Sequence, residues 1–151
     1  MTSRSGKSTV TIQRLAPADF TVLENPGKQS VQIVWPRNAP DALVTITRVT
    51  MAPGATSARH AHPHSEQIWL VEAGSGLLLL ADGQTEDVRE GDVVRTPPGT
   101  VHGVINTGST AFVYLSVTTP PQDFTPAYIE RHDADRPLPQ TGEGGTRSVR
   151  S

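Results

Sequence analysis

The chain has 151 residues, of which 35% are hydrophobic and 19% charged, enough for one domain with a sizeable core and outside the compositional range of disorder. A formal charge of −2 and scattered arginines offer no basic field for nucleic acid or an anionic membrane. The absence of cysteine excludes disulfides, thiolate nucleophiles, iron–sulfur clusters and thiolate-held zinc, so any metal must be held by imidazole, carboxylate, amide or water.

Residues 1–9 are polar and lack the apolar centre of a signal peptide, so they read as a flexible N-terminal arm and the location as cytoplasmic. Residues 10–131 read as strands and turns, punctuated by thirteen glycines and thirteen prolines, with little helical periodicity. Strands are expected at 10–15, 20–23, 31–35, 43–51, 67–72, 76–80, 87–90, 93–96, 104–106 and 111–117, most of them short and β-branched or apolar. Pro53-Gly54 ends the long fourth strand, and Ala81-Asp82-Gly83-Gln84 is a hairpin signal because Asp-Gly tolerates positive φ. Glu90-Gly91-Asp92 makes another tight turn, and Pro97-Pro98-Gly99 suits a type II turn. Residues 126–131 are expected to form one or two helical turns, with Pro126 at the first position. Residues 132–151 are polar and rich in glycine and proline, and read as a flexible tail. No apolar run reaches the length of a membrane span. Many short strands separated by such turns argue for an all-β sandwich or barrel.

Four of the five histidines fall in two short clusters, His60, His62 and His64 in one and His102 in the other. Two histidines one residue apart on an extended segment point their rings the same way, and a third from a distant strand can close a face around a metal ion. His64 shares their parity, but Pro63 stands between, so it is either a pocket acid–base group or exposed.

These clusters fit a known pattern. Gly54, His60-Ala61-His62, Glu66 or Gln67, and Gly74 follow the spacing of the first motif of the cupin superfamily. Gly91, Pro97, Gly99, His102 and Asn106 match the second motif at every position, and the distance from Gly74 to Gly91 fits the usual separation. The chain therefore resembles a small single-domain cupin, which implies an all-β double-stranded β-helix, or jelly-roll, barrel and a divalent metal held by His60, His62, His102 and a fourth ligand. That ligand is usually glutamate. Counting back from Gly74 selects Gln67 over Glu66, and in a strand only one of two neighbours faces the metal. Gln67 is preferred, because Pro63 interrupts the alternation that would carry His62 to Glu66.

Imidazoles with an oxygen donor suit Zn, Fe, Ni, Mn or Cu. A neutral glutamine leaves the ion its full charge, which favours Lewis-acid work on carbonyls, enolates or bound water over redox chemistry. Cupins with glutamine here include sugar-acid ring-opening proteins and aromatic polyketide cyclases. The resemblance thus implies an enzyme performing isomerisation, cyclisation, dehydration or ring opening on a small carbonyl- or hydroxyl-rich molecule. Its alternatives are a metal-dependent dioxygenase and a non-catalytic binding cupin. His64, Tyr114 and Glu66 are the candidates for proton transfer, and Trp69, Arg48 and Phe112 those for lining the substrate site. A homodimer is implied by the resemblance, with a small molecule as the other partner.

Overall fold

The structure, a computed structural model, describes residues 11–133, so the expected arm 1–9 and residues 134–151 of the expected tail lie outside it. Eleven strands follow one another: β1 (Thr21–Asn25), β2 (Lys28–Val34), β3 (Thr45–Met51), β4 (Thr56–His60), β5 (Glu66–Ala73), β6 (Ser75–Leu79), β7 (Thr85–Arg89), β8 (Val93–Thr96), β9 (His102–Ile105), β10 (Phe112–Thr119) and β11 (Glu130–Asp133). One sheet has the order β11-β1-β2-β3-β10-β5-β8 and the other β4-β9-β6-β7, with every pairing antiparallel. This is the expected all-β barrel. No helix among the described residues is long and apolar enough to cross a membrane.

The turns behave as their residues dictate. The β6–β7 hairpin closes through Asp82 (φ 58°) and Gly83 (φ 71°), two consecutive left-handed residues of the kind that match strand twist. Gly99, at φ 75°, completes the Pro97-Pro98-Gly99 turn, closed by Thr100 N–H donating to Pro97 O at 3.2 Å.

Three expectations fail. Residues 11–15 form no strand, and Ile12 is fully exposed. A single 3-10 turn, Thr125–Ala127, replaces the helical segment, and the chain then pairs with β1 as β11. That pairing, Val22 against His132 and Thr21 against Asp133, carries the barrel past the expected boundary at 131. The expected strands also omit β4, whose burial is confined to Ser57.

The interior changes character along the barrel axis. At one end Met51, Phe112, Val104 and Val71 pack into a dry core, each large side chain contributing about 1.5–3 kcal/mol by burial. The inward residues then run through Val49 and Tyr114 to Thr47, Ser116 and Trp69, and finally to Thr45, Thr118 and Gln67, which lie in cross-strand register. All of these last residues are buried, yet most are polar. The polar end opens into a cavity of about 410 Å³ walled by both sheets.

Candidate metal centre

His60 ends β4 and His102 begins β9, and the two stand directly opposite in the antiparallel register. His62 lies two residues beyond the end of β4. Backbone hydrogen bonds clasp these segments: Gly99 N–H donates to His62 O at 2.8 Å, Gly54 N–H to Asn106 O at 2.8 Å, and Asn106 N–H to Ala55 O at 2.9 Å. The buried Asn106 amide donates to the Met51 and Thr110 carbonyls, at 2.9 Å each. The asparagine of the second motif is thus a fastener.

Gly103 lets the strands meet. A Cβ there would lie 2.6 Å from Ser57 O and 3.0 Å from both Ala58 C and Arg59 N, inside the irregular stretch of β4 between Ser57 and His60.

The three rings converge. Their centroids are 4.4 Å apart for His60 and His102, 4.9 Å for His60 and His62, and 5.1 Å for His62 and His102. One ligand-capable atom from each lies within 4.8 Å of the others, a spacing that could hold a metal ion. The tautomers follow from the backbone. His60 Nδ1 sits 2.7 Å from Ala58 O and His102 Nδ1 2.9 Å from Thr100 O. A carbonyl only accepts, so each Nδ1 carries the proton and each Nε2 presents a lone pair.

Gln67 completes the set. Its Nε2 donates to Thr118 Oγ1 at 3.0 Å and its Oε1 accepts from Trp69 Nε1 at 3.3 Å, which fixes the amide with its oxygen 3.2 Å from His102 Nε2. Burial, with help from the neighbouring His60 and Lys28, lowers the His102 pKa against the opposing bond to Thr100. A neutral His102 therefore faces Gln67 acceptor to acceptor, an arrangement that repels unless a cation lies between. The buried Nε2 of His62 likewise has no hydrogen-bond partner among the described residues. Burial first, then His60 and His102, lower its pKa to about 4. Acceptors that face one another, with His62 Nε2 unpartnered, are what a divalent ion satisfies, so these residues fit a metal.

The other candidate residues divide between the cavity and its outside. Trp69 lines the cavity and stacks on Tyr114 with centroids 4.3 Å apart and an interplanar angle of 26°. Tyr114 also lines it, and burial raises its pKa far above the ordinary phenol value, holding the hydroxyl protonated. Phe112 does not line the cavity; it is fully buried in the dry core beneath.

Glu66 points to the outer face and pairs with Arg95, because alternation along β5 turns it away when Gln67 turns in. Arg48 is also outward, with its guanidinium forked onto the two Glu72 carboxylate oxygens at 3.2 Å each. His64 is exposed, since the chain leaves the extended path at Pro63 and the parity of His60 is lost. Glu66, His64 and Arg48 therefore stand outside the cavity that the sequence pattern assigns them.

The cavity also holds residues that the pattern does not single out: Lys28, Ser57, Phe124 and Tyr128. Lys28 has a signal of a misleading kind. Lys28, Ser30 and Gln32 alternate with Gln29, Val31 and Ile33, and the usual rule would turn the apolar set inward. The polar set faces in, because the interior here is the polar cavity.

Residues 47–118 match the family model for the cupin domain. An (R)-mandelonitrile lyase from Granulicella tundricola is 39% identical over 80 residues, spanning 52% of this chain and 60% of that protein. A double-stranded β-helix protein from Klebsiella pneumoniae superposes with a TM-score of 0.61 at 22% identity, covering 74% of this chain and 93% of that one. KdgF from a Halomonas species gives 0.62 at 22% identity, covering 75% and 97%. The clasped histidine motifs lie within the stretch 47–118 that matches the cupin domain, and the chain shares the double-stranded β-helix fold of these solved structures.

Proposed function

We propose that the protein is a metal-dependent enzyme performing non-redox Lewis-acid chemistry, of lyase, isomerase or cyclase type, on a small carbonyl- or hydroxyl-bearing molecule. The observation that carries this reading is the neutral Gln67 oxygen held 3.2 Å from His102 Nε2. His60, His62, Gln67 and His102 would hold a divalent ion and add no negative charge to it. When bound, such an ion polarises an oxygen of the substrate and stabilises the negative charge developing there.

The surrounding residues supply the rest. Ala58 and Thr100 carbonyls keep His60 and His102 in the ligating tautomer, while Thr118 and Trp69 aim the amide oxygen. Trp69, Tyr114, Phe124 and Tyr128 form an aromatic wall that limits water around the reacting atoms. With His64 and Glu66 outside, the proton-bearing groups that line the cavity include the Tyr114 and Tyr128 side chains and the Lys28 amine. The likeness to a lyase supports the non-redox assignment.

The test is metal content by mass spectrometry on tag-free protein, with His60→Ala and His102→Ala as controls, followed by oxygen-electrode assays with aldehydes and enols. Stoichiometric metal in the wild type, its loss in both variants, and turnover without oxygen uptake are expected. Equal and negligible metal in all three proteins, or turnover coupled to oxygen consumption, would overturn the reading.

A further inference from the structure

Lys28 lies on β2, in the sheet opposite the one that carries the histidines, and its side chain lines the same cavity. Its ammonium donates to Ser57 Oγ at 3.1 Å and sits 5.3 Å from the centre of the Tyr128 ring. An ammonium has three N–H donors, and Ser57 takes one of them. Among the described residues, no aspartate or glutamate lines the cavity. The other cation in the lining, Arg59, is spent on backbone: its Nε donates to Leu80 O at 2.7 Å and its Nη2 to Gln84 O at 3.3 Å. Lys28 is thus a cavity-facing cation with spare donors and no counter-ion among the described residues. Burial lowers its pKa to about 8, as expected of a charge with no partner.

We propose that Lys28, with the Ser57 hydroxyl and the Tyr128 ring beside it, forms a carboxylate-binding subsite, so that the substrate is a small carboxylate anion held at one end by this ammonium. A carboxylate supplies the missing counter-charge and accepts the spare N–H donors. A single ammonium suits a monoanion; a phosphoryl group would call for several cations or a helix N-terminus, and the described residues contain no α-helix. The subsite rests on the metal-centre reading only for the reacting end of the molecule.

That separation sets the experiment. Protein stripped of metal with EDTA is titrated calorimetrically with benzoate, its neutral counterpart benzamide, and phenyl phosphate, and the series is repeated on Lys28→Met. The wild type is expected to bind benzoate about 10- to 100-fold more tightly than benzamide, the worth of one charge-assisted hydrogen bond. Lys28→Met should bind benzoate no better than benzamide, while keeping the wild-type benzamide affinity and zinc content. Lys28→Gln, which can still donate to Ser57, replaces it should the methionine variant not fold. Wild type that fails to prefer benzoate, a variant that keeps the preference, or tighter binding of phenyl phosphate would each overturn the proposal. A metal-centre failure shows separately, as absent zinc with the benzoate preference intact.

Discussion

Replacing Gly103 by alanine tests whether the approach of β4 to β9 builds the metal centre. The added Cβ would stand 2.6 Å from Ser57 O, where ordinary contact begins at 3.4 Å, so the strands must part by roughly 0.8 Å. Overpacking of this kind costs about 1–3 kcal/mol, which for a chain of this size lowers the melting temperature by about 3–10 °C. The displacement falls between Ser57 and His60, so it moves His60 relative to His102, its partner across the ladder. Metal–ligand distances tolerate only about 0.2 Å, so zinc affinity should fall about 10- to 100-fold. Thermal melts of metal-free protein and competition against a chromophoric chelator measure the two effects. Gly91→Ala is the control: Gly91 has φ +92° with nothing within 4 Å of an added Cβ, so alanine there costs local strain without forcing β4 and β9 apart. Wild-type zinc affinity in Gly103→Ala, or equal affinity losses in both variants, would refute the argument.

Metal-free protein should lose stability as the solution is acidified. The pKa of His62 is lowered from 6.5 to about 4, so between those values the unfolded chain takes up a proton that the folded chain refuses. The contribution is present above pH 6.5 and is lost toward pH 4; after discounting for solvent screening it amounts to about 1–2 kcal/mol, and urea melts of wild type and His62→Ala should diverge accordingly. Gln67→Glu should raise zinc affinity at least about 10-fold by adding a negative ligand that still accepts from Trp69, as read by chelator competition. Arg48→Ala and Glu66→Ala break only exposed ion pairs, so metal content should stay at wild type and stability should change by about 1 kcal/mol or less in chemical melts.

The strands most visible in the sequence are those rich in β-branched and aromatic residues. β3 and β10 alternate cleanly in burial, with inward faces that pass from apolar to polar, and Asp82-Gly83 announces its hairpin by a pair that suits two left-handed residues. β4 is hidden because Thr-Ser-Ala-Arg-His has no apolar face, and β11 because Glu-Arg-His-Asp has none either. The metal-ligand pattern was legible as spacing: Gln67 follows from counting back to Gly74. His64 shows where parity fails, since alternation is a property of extended chain and Pro63 ends it. Lys28 was illegible for a deeper reason. Alternation says which residues share a face, and only the character of the interior says which face is inside; a polar cavity reverses the usual answer. Arg48 was open to the same ambiguity and falls the other way, against Glu72.

β4 is an edge strand, joined only to β9 among the described residues and with Ser57 as its one buried residue. The element carrying His60 is therefore one whose fraying costs little. A bound ion would rivet that loose margin to the body of the barrel, slowing amide exchange along 56–60, and the pace of ion escape would be set by how often this border peels away.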